Sequence, residues 1–148
     1  MSNPILQRIR LMNPKLEQSQ GTVLVVDDVA EQREIASVML RKLGYNINTM
    51  ASGEEAVEFL KDHSADLVIL DMIMDPGIDG LETYMKITER HPDQKAIIVS
   101  GFAETERVKE TQRLGAGPYI KKPYTLERIA VAVRMELDRG ECRPAKIA

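Results

Sequence analysis

The 148-residue chain has no tryptophan, two phenylalanines, four tyrosines and a single cysteine. Aromatics at 4% leave few platforms for stacking nucleic-acid bases. A lone Cys142 excludes an internal disulfide framework and any cysteine-rich zinc site. Positive charge is not in excess either: 20 Lys and Arg stand against 23 Asp and Glu, for a net charge of −3. That balance is a poor basis for gripping a phosphate backbone, so no direct nucleic-acid partner is expected. The longest apolar runs, at 22–26 and 67–70, fall far short of the roughly 20 residues that span a bilayer. The N-terminus also lacks the apolar core of a secretory signal. No membrane partner and a cytoplasmic location are therefore expected. What is present is 43% apolar and 29% charged residues, enough for one domain with a real core and too little for a second catalytic domain.

Three segments are expected: an N-terminal helix and linker at 1–20, a domain at 21–139 and a frayed tail at 140–148. In the first, Asn3-Pro4 suits a helix start and Pro14 its end, although the segment reads equally well as an appended remnant. From Gly21 onward, β-branched apolar runs alternate with helical periodicity, the pattern of a parallel sheet covered on both faces. The runs place strands at 22–26, 45–50, 66–70, 95–99 and 118–121. Between them, a helix at 31–43 aligns Ile35, Val38, Met39 and Leu43 and stops at Gly44. Ser52-Gly53-Glu54-Glu55 reads as a capping box opening a second helix, which buries Ala56, Val57, Phe59 and Leu60. A third helix runs from Leu81 to His91 and ends before Pro92. The fourth, 104–114, carries only Val108 and Leu114 as large apolar residues, so weak packing and mobility are expected of it. The fifth, 126–139, is capped by Thr125 and buries Leu126, Ile129, Val133 and Leu137. Strict alternation over about 120 residues predicts a doubly wound α/β fold, a five-stranded parallel sheet of order 2-1-3-4-5.

Such sheets hold their chemistry beyond the carboxyl ends of the strands, at the switch between the first and third. Strand one ends in Asp27-Asp28 and strand three in Asp71. Three converging carboxylates resist full ionisation unless a cation or proton neutralises them. All-oxygen ligands favour Mg2+, Mn2+ or Ca2+ over zinc. Asp27 and Asp28 read alternatively as caps of the next helix, but capping does not account for Asp71. Strand four ends in Ser100-Gly101 and strand five in Tyr119-Ile120-Lys121-Lys122-Pro123, which brings a hydroxyl and an ammonium to the same rim. Together these supply a hydrogen-bond donor and a fixed positive charge for a phosphoryl group, with Asp71 as nucleophile. Taken singly, Ser100 is a turn residue and Lys122 a solvated lysine; the constellation carries the argument.

With these motifs the sequence resembles the receiver domains of two-component response regulators, CheY-like proteins, over about residues 21–139. The resemblance rests on Val25-Val26-Asp27-Asp28, Leu70-Asp71 with Asp79-Gly80 downstream, Ser100-Gly101, and Gly115-Ala116 through Tyr119 to Lys122-Pro123-Tyr124. It implies that Asp71 is the phosphoacceptor, that Asp28 binds Mg2+ directly and Asp27 mostly through water, and that Ile73 offers its backbone carbonyl. Mn2+ is an acceptable substitute. Ser100 and Lys122 would bind phosphoryl oxygens, Lys122 being chosen over Lys121 because the family's lysine precedes proline. Ser100 and Tyr119 would form the switch, although Tyr119 reads equally as a half-buried core tyrosine. The implied partners are a histidine kinase or a histidine phosphotransfer protein, with a homodimer through helix four, strand five and helix five as a further expectation. The chain is expected to catalyse only its own phosphorylation and dephosphorylation, as a stand-alone regulator or as the receiver of a hybrid sensor kinase. The alternative is a receiver-like interaction module that phosphate does not switch.

Two departures stand out. The acceptor is followed by proline after five residues (Asp71 to Pro76) where the family usually takes four, and the longer loop adds Asp75 as a candidate fourth carboxylate. Ile73 is apolar where many relatives carry a polar group that can orient water, which implies slow self-dephosphorylation. His63, His91 and Cys142 belong to no site-like constellation, and the Asp-x-Asp motif of haloacid dehalogenase-type phosphatases is absent at Asp27-Asp28-Val29.

Overall fold

The computed structural model describes residues 4–5 and 21–139. Pro4 and Ile5 are helical; the remainder of the expected N-terminal helix and linker, and the tail with Cys142, lie outside the described residues. Ten elements alternate: β1 Thr22–Val26, α1 Ala30–Lys42, β2 Asn46–Met50, α2 Gly53–Asp62, β3 Leu67–Asp71, α3 Gly80–Arg90, β4 Ala96–Ser100, α4 Glu106–Arg113, β5 Tyr119–Lys121 and α5 Leu126–Asp138. All strand pairings are parallel, and the sheet order is β2-β1-β3-β4-β5, as expected.

The strand alternation divides the core in two. Val23, Val25, Leu67, Ile69, Ile97, Val99 and Ile120 face α1 and α5, where they meet Ala36, Leu40, Ile129 and Val133. Leu24, Val26, Val68, Leu70 and Ile98 face α2, α3 and α4, where they meet Ala56, Leu60, Tyr84, Ile87 and Val108. The three central strands are wholly buried along β3 and β4 and nearly so along β1. Each such side chain contributes roughly 1.5–3 kcal/mol of transfer free energy, which makes the central strands a stiff base for the residues at their ends.

The structure corrects several element-level expectations. β3 and β4 begin and end one residue later than expected, so Asp71 and Ser100 are the last strand residues rather than the first loop residues. The reason at β3 is Asp66, whose Oδ2 accepts from Thr22 N at 2.8 Å and so serves as an end stop to the ladder. In α1, Ile35 and Val38 are exposed, and the helix instead seats Ala36, Ser37 and Leu40, with Leu43 just beyond its end. The inward face of α1 runs through Ala36, Leu40 and Leu43 with Met39 partly buried, and Ile35 and Val38 lie off it. Leu114 is likewise exposed, leaving Val108 and Thr111 as the buried face of α4. That face is even thinner than expected. The capping residues hold: Ser52 Oγ accepts from Glu55 N at 3.1 Å, and Thr125 Oγ1 accepts from Arg128 N at 3.1 Å.

Candidate functional site

Ladder register builds the site. Val26 pairs with Leu70, so Asp27 leaves β1 level with Asp71 at the end of β3. Asp71 pairs with Val99, and Ser100 with Lys121, which carries the same rim across to β5. The switch between β1 and β3 therefore gathers Asp27, Asp28 and Asp71, whose nearest carboxylate oxygens all lie within 4.8 Å of one another. Asp27 and Asp71 are buried while Asp28 is exposed, giving the cluster one open side.

Neither aspartate of the pair caps α1. Its N-cap is Val29, which makes no side-chain cap bond, and Asp27 Oδ1 accepts instead from Val29 N at 2.9 Å. Arg33, one turn into α1, donates through Nη1 to the Asp27 carbonyl at 2.7 Å and so fixes the backbone at this point. The Lys122 ammonium bridges the two buried carboxylates, donating to Asp27 Oδ2 at 2.8 Å and Asp71 Oδ2 at 3.2 Å. Lys121 makes no such contact in the structure, since it closes the ladder opposite Ser100.

Electrostatics follow from this packing. Burial raises the Asp71 carboxyl from an ordinary 3.8 to about 6; Lys122 opposes the shift and Asp27 adds to it. Burial works against the Lys122 charge, but its contacts with Asp27 and Asp71 outweigh that and raise its pKa. One ammonium is thus shared by two of three clustered carboxylates, and the cluster retains an excess of negative charge. An all-oxygen donor set with one exposed ligand fits a hard divalent cation that keeps several waters.

The remaining expected residues take up definite places. Ile73 is exposed, and its N–H donates to Asp71 Oδ1 at 3.3 Å. Ser100 is buried; its Oγ accepts from Phe102 N at 3.2 Å, and its carbonyl accepts from Lys122 N at 2.8 Å. Tyr119 is half-buried against the core facing α2, α3 and α4, and its hydroxyl donates to the Phe102 carbonyl. Asp75 is exposed and its carboxylate is not part of the cluster, but its backbone N–H points to Asp28 Oδ2 at 3.4 Å. His63 stacks on Phe59, and His91 Nε2 lies 2.7 Å from the Leu60 carbonyl, so both serve the fold.

Four contributors were not singled out from the sequence. Arg33 had no signal beyond its position on a helix. Tyr124 packs beside the site, and burial raises its pKa. Glu54 looked like part of a helix cap, yet it accepts from the N–H of Ile78 in the β3–α3 loop. Arg107 on α4 donates through Nε to Asp79 Oδ2 at 2.5 Å, while Asp79 Oδ1 caps α3 through Glu82 N at 3.0 Å.

Comparison with known proteins agrees with this geometry. The response regulator receiver domain family matches residues 23–134. The chain is 32% identical over 133 residues to a probable transcriptional regulator, ycf27, of Cyanidium caldarium, covering 90% of this chain and 53% of that protein. It is 30% identical over 115 residues to the sporulation initiation phosphotransferase F of Bacillus subtilis, covering 78% of this chain and 92% of the relative. It thus spans about half of one relative and nearly all of the other. A solved CheY-like response regulator receiver domain protein of Methanospirillum hungatei JF-1 superposes with a TM-score of 0.77 at 26% identity, covering 83% of this chain and 98% of that one. A parallel sheet of order 2-1-3-4-5, an acidic cluster at its switch point and a family match over most of the domain make this chain a member of the response regulator receiver domain family of two-component signalling.

Proposed function

We propose that this chain accepts a phosphoryl group on Asp71 from the phosphohistidine of a histidine kinase or histidine phosphotransfer protein, and signals by changing its surface around α4, β5 and α5. The observation that carries the reading is the Lys122 ammonium within hydrogen-bond distance of both Asp27 and Asp71, with Asp28 beside them on the open side. One ammonium is shared by two buried carboxylates with a third beside them, which leaves room in the cluster for a further cation.

In the transfer, an Asp71 carboxylate oxygen forms a bond to phosphorus while the bond to the donor imidazole nitrogen breaks, and that nitrogen keeps the electron pair. Asp27, Asp28, Asp71 and the Ile73 carbonyl would hold Mg2+, which when bound would screen the repulsion between two anions. Lys122, already aimed at Asp71, is placed to bind one phosphoryl oxygen. Ser100 would turn its hydroxyl from the Phe102 N–H to another oxygen. Tyr119, whose hydroxyl is bonded to the Phe102 carbonyl, would follow as that loop moves. The functional unit is residues 21–139, and a homodimer through α4, β5 and α5 is one form the output can take.

The test is intact mass after incubation with acetyl phosphate and Mg2+, on wild type and on Asp71→Asn. A single phosphoryl adduct that requires both Mg2+ and Asp71 is the expected result. A folded protein that binds Mg2+ but gains no adduct from acetyl phosphate or from a phosphorylated histidine donor would favour an interaction module that phosphate does not switch.

A further inference from the structure

The β3–α3 loop, one residue longer than the motif usually allows, is closed at its base by two backbone bonds: Met72 N–H to the Val99 carbonyl and Gly80 N–H to the Met72 carbonyl, both 2.9 Å. Further out, two carboxylates from other elements hold it. Asp28 takes the Asp75 N–H at 3.4 Å, and Glu54, in the first turn of α2, takes the Ile78 N–H on both oxygens at 3.2 and 3.4 Å.

Glu54 is itself well anchored. Its helix is started by Ser52, and Glu55 Oε2 accepts from Ala51 N at 2.7 Å. The loop is also shaped to receive it. Gly77 adopts φ +106°, and a Cβ there would lie 2.4 and 2.7 Å from the Glu54 carboxylate oxygens. The carboxylate thus lies where a side chain on residue 77 would sit, and the backbone angle there favours glycine. Glu54 is not within the acidic cluster that can hold a cation. Its contacts in the loop are to backbone.

We propose that Glu54 is a positioning residue for cation binding: by fixing residues 77–78 against α2 it holds the 73–75 stretch in place, so that the Ile73 carbonyl and the Asp75 N–H are set relative to Asp28 and Asp71. The inference rests on the metal-binding reading above. Ordering a free backbone costs roughly 1–2 kcal/mol per residue, so a loop left loose would charge that cost to the binding step. A loop already pinned lowers the cost of binding by preorganisation. Asp28, the exposed ligand, gains most, because its Oδ2 is oriented by the same loop. Contacts behind a metal's own ligands commonly change affinity by about 10–100-fold.

The experiment is a calorimetric Mg2+ titration of the full chain in about 0.15 M salt, where long-range charge effects are screened beyond roughly 8 Å. It is run beside hydrogen exchange of the Ile78 amide in metal-free protein. Glu54→Ala is expected to weaken Mg2+ binding about tenfold and to lose protection at Ile78. Glu54→Gln keeps an oxygen that can accept the Ile78 N–H and is expected to stay within about twofold of wild type. Glu54→Asp, whose shorter side chain draws the carboxylate back from the Ile78 N–H, is expected to weaken binding in the same direction and serves if Glu54→Ala does not fold. Wild-type affinity in Glu54→Ala overturns the proposal. Equal losses in Glu54→Ala and Glu54→Gln also overturn it, since charge rather than position would then be at work. If wild type binds no Mg2+, the metal-binding reading itself fails and this inference falls with it.

Discussion

Burial at the end of β3 raises the Asp71 carboxyl from 3.8 to about 6, a shift that Lys122 reduces and Asp27 increases. The fold therefore binds this proton more tightly than the unfolded chain does. Asp71 carries no penalty below its unfolded pKa of about 4, and a growing one as pH rises through about 6. At roughly 1.4 kcal/mol per pK unit the full penalty is about 3 kcal/mol. Asp71→Asn in metal-free buffer is accordingly expected to be more stable than wild type at pH 7.5, by up to about 3 kcal/mol. The gap should close as pH falls toward 4, and urea unfolding across that range would measure it. A gap that persists unchanged to pH 4 would mean that the buried charge is not its source. Two residues further on, Ile73 is exposed beside the proposed acceptor and its side chain offers no polar group. Ile73→Asn is expected to shorten the lifetime of the phosphorylated protein several-fold, read by the decay of the mass adduct.

Among the helices, α4 is the one least held by the core. Val108 and Thr111 form its buried face, and Leu114 is exposed. Its tie to the neighbouring helix is the ion pair from Arg107 to Asp79, whose other oxygen caps α3. Exposed pairs of this kind contribute about 0.2–1 kcal/mol. Arg107→Ala is thus expected to leave global stability nearly unchanged while raising hydrogen exchange across α4, and equal protection in both proteins would show that the tie is idle. Gly117, between α4 and β5, is closely packed by contrast. A Cβ on Gly117 would lie 2.7 Å from the Ala96 carbonyl and far too close to the buried Glu136 carboxylate. Gly117→Ala is expected to destabilise the fold by about 1–3 kcal/mol, seen as a lower midpoint in thermal or urea unfolding.

At the scale of the molecule, the doubly wound sheet supplies a platform whose carboxyl edge gathers the acidic cluster and Lys122. Three strands buried on both faces hold Asp27 and Asp71 level, and the edge strand β5 brings in Lys122. Among the described residues, no helix is long and apolar enough to cross a membrane. The phosphoryl adduct test described above addresses the whole assembly at once, because no single strand end contains enough of the site to produce it.

The strand order, the alternation of elements and the five strand-end residues were legible in the sequence because each is a local signal: an apolar run, a helical stripe, a charge at the end of a run. Burial of Asp71, its pairing through Lys122 and the shift in its pKa were not, since they depend on register between strands far apart in the chain. Ile35 and Val38 matched a helical stripe and yet face solvent, because the inward face of α1 runs through Ala36, Leu40 and Leu43 instead. Glu54 and Arg107 were hidden for the same reason. Each reads as an ordinary charged residue near a helix start, and only the packing of α2 and α4 against the β3–α3 loop and the α3 cap gives it a partner. Sequence alone thus determined the topology and the chemical groups brought to the site, through short-range pattern. The tertiary structure decided their charge state, their contacts and which loop is held, because those are set by distances between residues that the chain itself keeps far apart.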